Sequence, residues 1–227
     1  MMDLAVVIAR RPARLRELGA RLEGLGLVVE TYADAAAPSS LCRVPRVVLW
    51  DEDAPDVPAG YLPGPINAAP VHLRISAAAR AWVARPGAIV LPAATEGALL
   101  TALLDSGYAL PADAECASIS RTLHGLVNGD AAVVARLVDS LLCSGVADLA
   151  SYRALCAQKN WVAAGSLAHR LKGTIRMAGC VSLARVCERV EFSILNGATA
   201  DFTRLNALFE PAVRRLCAEL QKLRRAC

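Results

Sequence analysis

Chemistry in this chain begins at one histidine. The stretch Gly165-Ser166-Leu167-Ala168-His169-Arg170-Leu171-Lys172-Gly173-Thr174-Ile175-Arg176-Met177-Ala178-Gly179 reads as a helix with two faces. Ala164, Leu167, Ala168, Leu171, Ile175 and Ala178 recur at three- and four-residue steps and form an apolar stripe. His169 falls on the other face, with Gly165, Ser166, Lys172, Gly173 and Arg176 as its neighbours one turn away. An exposed imidazole, with an ordinary pKa of about 6.5, is a competent nucleophile near neutral pH. Lys172 reads as a mobile point charge able to steady an anion on a transferred group. As an exposed side chain it should add little to stability. Glycine inside a helix costs roughly 0.5–1 kcal/mol relative to alanine, so Gly165 and Gly173 beside an exposed histidine imply access by another protein. Gly173 keeps bulk away from the acceptor nitrogen, so reactants can approach in line at roughly 3 Å.

The run Ala168-His169-Arg170-Leu171-Lys172-Gly173, followed by Gly179, resembles the phospho-acceptor motif of histidine-containing phosphotransfer (HPt) domains in multistep two-component relays. The resemblance implies that His169 takes a phosphoryl group from the aspartyl phosphate of one receiver domain and passes it to another. The partners implied are receiver domains of a hybrid histidine kinase and of a response regulator. Glu191 lies where many HPt sequences place a glutamine or acidic residue that orients the histidine from the neighbouring helix; a plain surface carboxylate is the other reading. No cofactor is expected on this chain, and Mg²⁺ would come with the partner's acidic pocket. Arg170, Arg176, Arg185 and Arg189 either complement that pocket or are solvated surface.

The elements around His169 read as helices. Residues 108–117 look like a linker, broken by Pro111, and from there to Pro211 the chain has no proline. A short helix is expected over 119–127. A long one follows from an Asp130 N-cap through 142, with a break or kink at Gly145 and a continuation over 146–158. Lys159-Asn160-Trp161 is a tight connection, Gly179 ends the His169 helix, and 181–195 is the next. A last helix opens at Asp201 and kinks or restarts at Pro211. Short connections between long amphipathic helices predict an antiparallel four-helix bundle over 118–227, which is also the HPt architecture.

The first half alternates differently. Residues 4–9, 27–32 and 44–50 read as strands and 10–24 as a helix with leucines at helical steps. Residues 71–75 and 88–91 suggest two more strands, with helices near 76–83 and over 95–106. This order predicts an α/β, doubly wound parallel sheet over 1–107. The element order, and the Ala54-Pro55-Asp56 turn after the third strand, resemble a response-regulator receiver domain. Asp51 matches the phospho-acceptor position of that family. Arg10 and Arg11 stand where receivers carry the acidic pair that holds Mg²⁺, and Leu91, not lysine, precedes Pro92. Guanidinium groups repel the metal, and without it the charge on a transferring phosphoryl group is not neutralised. A pseudo-receiver with an inactive Asp51 is the expectation; a solvated acidic loop in an unrelated α/β domain leads to the same inactivity.

Composition narrows the class. Of 227 residues 55% are hydrophobic, mostly alanine, leucine and valine, which suits packed helices and rules out global disorder. The net charge of +4 is scattered, so nucleic-acid binding is not expected. Eight cysteines form no C-x-x-C pair and no zinc-ligand spacing, which favours free thiols in a reducing cytoplasm. No apolar run of ~18 residues is present, so no membrane insertion is expected. Neither a phosphate loop nor another nucleotide motif occurs, so this phosphoprotein would relay, not autophosphorylate. His72 and His124 lack a comparable constellation and read as structural. The receiver-then-HPt order resembles the tail of a hybrid sensor kinase, and a stand-alone relay protein is the other reading. The competing function is a non-catalytic scaffold with both modules inactive.

Overall fold

Strands β1 (Leu4–Ile8) and β3 (Val47–Trp50) are buried along their whole length. Such unbroken apolar runs belong at the centre of a parallel sheet covered on its faces. They pair with each other in parallel, Ala5 opposite Val47 and Ile8 opposite Trp50. With β2 (Val28–Tyr32), β4 (Val71–Ile75) and β5 (Ile89–Leu91) they build a five-stranded sheet in the order β2-β1-β3-β4-β5, every pairing parallel. The order reverses between β1 and β3, so the carboxyl ends of those two strands flank the topological switch point. Helix α1 (Pro12–Gly24) starts on a proline and buries Leu18 and Leu22. Its Gly19 lies over β2, where an added Cβ would meet Val29 Cγ1 at 3.6 Å and Thr31 Cγ2 at 3.7 Å. Helix α2 (Glu96–Asp105) is capped by the Thr95 hydroxyl, which accepts from the Ala98 N–H at 3.2 Å.

The computed structural model describes residues 2–33, 43–54, 70–76, 88–197 and 199–226. The expected Ala54-Pro55-Asp56 turn and the helix near 76–83 fall largely outside these residues. The chain divides into two units, Asp3–Tyr108 and Ala109–Cys227. No helix among the described residues is long and apolar enough to cross a membrane.

The second unit is helical throughout. Helices α4 (Ala131–Ala157), α5 (Trp161–Met177), α6 (Val181–Leu195) and α7 (Thr199–Ala226) pack as a ring, α4 on α5, α5 on α6, α6 on α7 and α7 on α4. Three-residue connections force successive helices to run antiparallel. The core is aliphatic, with Leu141, Leu171, Ile175, Val186, Val190 and Leu216 all buried. Tyr152 sits within it edge-on to Phe209 at 5.6 Å, and the half-buried Trp161 lies edge-on to Phe202 at 5.1 Å. Asp130 caps α4 by accepting from the Val133 N–H at 3.1 Å, and Asn160 caps α5 from Ala163. Gly179, at a φ of 76° that disfavours other residues, closes α5 with the Cys180 N–H bonded to the Ile175 carbonyl.

Three details depart from the sequence expectations. Helix α4 runs through Gly145 without a break, because this glycine is a contact point: a Cβ there would meet Cys217 Sγ at 3.3 Å and Thr174 Cγ2 at 3.7 Å. Helix α7 likewise continues through Pro211 without a restart. Helix α3 (Asp113–Leu126) begins inside the stretch expected as linker. The reason is Glu115, which is buried and joins two helix starts. Its Oε2 accepts from the Ala112 N–H at 3.1 Å and from the Ser182 hydroxyl, and its Oε1 accepts from the Ser182 N–H at 2.9 Å. One carboxylate thus sits at the positive ends of α3 and α6 together, and an added Cβ at Gly179 would meet Thr122 of α3 at 3.0 Å.

Candidate functional site

His169 stands on α5 with its side chain 72% exposed, while the apolar stripe of the same helix, Ala164, Ala168, Leu171 and Ile175, is buried. Helical periodicity alone dictates this division. Glu191 on α6 faces it, with Oε1 3.5 Å from the imidazole Nδ1. That oxygen is buried and has no hydrogen-bond partner among the described residues. The separation is longer than a formed hydrogen bond, but Nδ1–H is the donor placed to satisfy it, and catalytic hydrogen bonds often tighten on complex formation. The other oxygen, Oε2, accepts from Lys172 Nζ at 2.6 Å. Lys172 and Glu191 are only 12% and 18% exposed, so their charges attract through a medium much less screening than water.

Lys172 is therefore not the mobile surface charge expected from the sequence. It points from α5 towards α6 and is fixed by Glu191. The two glycines also separate in role. Gly173 faces open space, with nothing within 4 Å of an added Cβ, whereas Gly165 is a packing position whose Cβ would lie 3.3 Å from Ile194 of α6. Behind the site the buried Cys187 thiol donates to the Ala168 carbonyl at 3.2 Å, and burial pushes that thiol's pKa up. Of the arginines expected to meet a partner, Arg170 pairs with the largely buried Asp148 at 2.8 Å and Arg176 with Glu188, while Arg189 lies 5.5 Å from the Phe192 ring centroid.

The second candidate site lies at the carboxyl ends of β1 and β3. Asp51 is fully buried, and its N–H donates to the Ile8 carbonyl at 3.0 Å. Both its carboxylate oxygens accept from Arg14 Nε at 3.2 Å, and Arg11 Nη2 lies 3.6 Å away. Arg11 Nε also donates to Asp53 at 2.8 Å, and the Arg10 backbone N–H donates to the same carboxylate at 3.2 Å. Sequence reasoning placed Arg10 and Arg11 here. Of Arg10 the structure brings in only the backbone, and Arg14, one turn into α1, was missed. The receiver resemblance implies Mg²⁺ at these strand ends, and the residues present do not fit it, because guanidinium groups already neutralise the carboxylates. Among the described residues no three His, Cys, Asp or Glu side chains converge to hold a metal.

The other histidines sit in the framework. His72 stacks on Trp50 with ring centroids 5.1 Å apart, and His124 Nδ1 is 2.8 Å from the Ser120 carbonyl oxygen.

Comparison with curated proteins and with solved structures gave no match. A protein-family model, described as the Hpt domain, matches residues 136–226, a span that begins within α4 and includes His169, Lys172, Gly173 and Glu191. The four-helix ring that carries the exposed histidine thus coincides with the part of the chain, residues 136–226, that matches the Hpt domain.

Proposed function

We propose that His169 is the phospho-acceptor of a multistep two-component relay, taking a phosphoryl group from the aspartyl phosphate of a receiver domain and delivering it to another. The Hpt domain supports a histidine phosphotransfer role in two-component signalling. The observation that carries the residue assignment is the buried, unsatisfied Glu191 oxygen facing Nδ1 of an otherwise exposed ring. A proton held on Nδ1 leaves the Nε2 lone pair free to attack phosphorus. The N–P bond forms at Nε2 as the acyl-phosphate O–P bond breaks, and the aspartate leaves as carboxylate. Ring charge that develops during transfer is stabilised by the Glu191 anion, and Lys172 keeps that anion compensated between turnovers. Gly173 leaves the space beside the ring that an incoming acceptor pocket needs. Mg²⁺ would be supplied by the partner receiver, and the chemistry it brings there is neutralisation of phosphoryl charge.

The partners in this reading are receiver domains of a hybrid histidine kinase and of a response regulator. The N-terminal unit is a receiver-like module without phosphoryl chemistry of its own, serving for docking or positioning. The test is transfer of label from a phosphorylated receiver to the full chain. An acid-labile, base-stable label is expected on wild type and on Asp51→Asn, and none on His169→Gln. Label persisting in His169→Gln would place the acceptor elsewhere and favour the scaffold reading for this site.

A further inference from the structure

We infer that Arg14 is the resident cation of the acidic pocket at the β1 and β3 strand ends, closing it to divalent metal and tying β3 to α1. Asp51 is wholly buried, so its charge must be compensated where it sits. Arg14 does this from within the fold, with one Nε–H shared between both carboxylate oxygens at 3.2 Å and a side chain itself only 22% exposed. Arg11 supplies the outer layer, at 2.8 Å from Asp53 and 3.9 Å from Glu52. The cation is anchored in turn. Arg14 Nη1 donates to Glu17 at 2.8 Å, Glu17 accepts from Arg21 at 2.7 Å, and Arg21 donates to the Ala94 carbonyl just before α2. Along one face of α1, a chain of ion pairs ending in a hydrogen bond therefore runs from the end of β3 to the connection after β5.

The physical consequence is a pocket with fixed occupancy. A bound Mg²⁺ comes and goes with concentration and needs one or two carboxylates free of other cations. A covalently tethered guanidinium has no such concentration dependence. Burial works against the Arg14 charge, yet its hydrogen bonds to Glu17 and Asp51 outweigh burial and raise its pKa above the ordinary guanidinium value. Arg14 is thus charged wherever the chain is folded. This inference is independent of the relay assigned to His169 and reads out in the other unit.

Hydrogen exchange of the full chain tests it, followed by mass spectrometry over peptides from β1 and β3 with and without Mg²⁺. Wild-type protection should be the same in both conditions. Arg14→Met, which keeps the apolar stem and removes the charge, should exchange faster by on the order of tenfold or more in β1 and β3. Added Mg²⁺ should restore part of that protection, and Arg14→Met/Asp51→Asn should lose the Mg²⁺ response. Exchange in α5 and α6 should be unchanged throughout. Mg²⁺-dependent protection in wild type would overturn the inference. So would wild-type protection in Arg14→Met, or a loosened Arg14→Met that Mg²⁺ leaves unaltered.

Discussion

The charged clusters around Asp51 and around His169 each set a cation against a carboxylate and reach opposite states. At β3, Asp51 is buried at 0% exposure and its cation, Arg14, bonds to the carboxylate itself. At α5, His169 is 72% exposed and the nearby cation, Lys172, bonds not to the ring but to Glu191 behind it. In one cluster the compensating charge covers the group that could accept a phosphoryl group. In the other it covers Glu191 and leaves the exposed imidazole uncovered. Whether a nucleophile is available is decided here by which atom takes the ion pair, not by whether the residue is present.

The comparison can be pressed hardest at Glu191. Glu191→Ala removes the charged acceptor towards which Nδ1–H is placed to bond as the transfer complex tightens, an interaction worth about 1.5–3 kcal/mol. Expressed as rate, that is a slowing of phosphoryl transfer on the order of ten- to a hundredfold, measured by rapid-quench transfer from a labelled receiver. Glu191→Gln retains an acceptor for Nδ1–H but loses the anion, and should recover only part of the rate; a Gln variant as slow as Ala would assign the whole effect to charge, not orientation.

Lys172→Ala probes the same pair from the other side. The sequence expectation of an exposed lysine that adds little to stability gives way to a stability cost, because Glu191 would be left largely buried and unpaired. About 1–3 kcal/mol is expected, the partial exposure of both groups keeping it below the cost of breaking a fully buried pair, and denaturant unfolding of the variant measures it. A midpoint unchanged from wild type would mean that the lysine is not held as described.

The smallest effect belongs to the N-terminal network. The Arg14 hydrogen bond holds the exposed Glu17 carboxyl below its ordinary value of 4.5. A carboxylate with a depressed folded-state pKa contributes stability above its unfolded pKa and loses it as pH falls through the folded one. Protection of α1, taken relative to the intrinsic exchange rate at each pH, should therefore fall modestly as the medium is acidified below about pH 4.5, and Glu17→Gln should flatten that fall.

The local pattern was legible wherever one element carried it. The apolar stripe of α5, the exposed face of His169, the Asp130 cap and the Gly179 stop all follow from residues within a turn or two of one another. All of β1 and β3 read as buried strands for the same reason. Where the reading failed, the cause lay in another segment. Gly145 looked like a helix break because its partners, Cys217 and Thr174, are remote in sequence. The start of α3 looked like linker because the donors that fix Glu115 include Ser182, 67 positions away.

What the amino-acid order fixed by itself is therefore the inventory: a five-strand parallel α/β pattern, a helical second half, and a histidine on the polar side of an amphipathic helix. Backbone periodicity requires nothing beyond neighbouring residues to set which side chains share a face. Only the packed chain could pair Lys172 with Glu191 across 19 positions and Arg14 with Asp51 across 37. Ion pairs act over a few ångströms, and which charges come that close depends on how helices and strands are laid against one another.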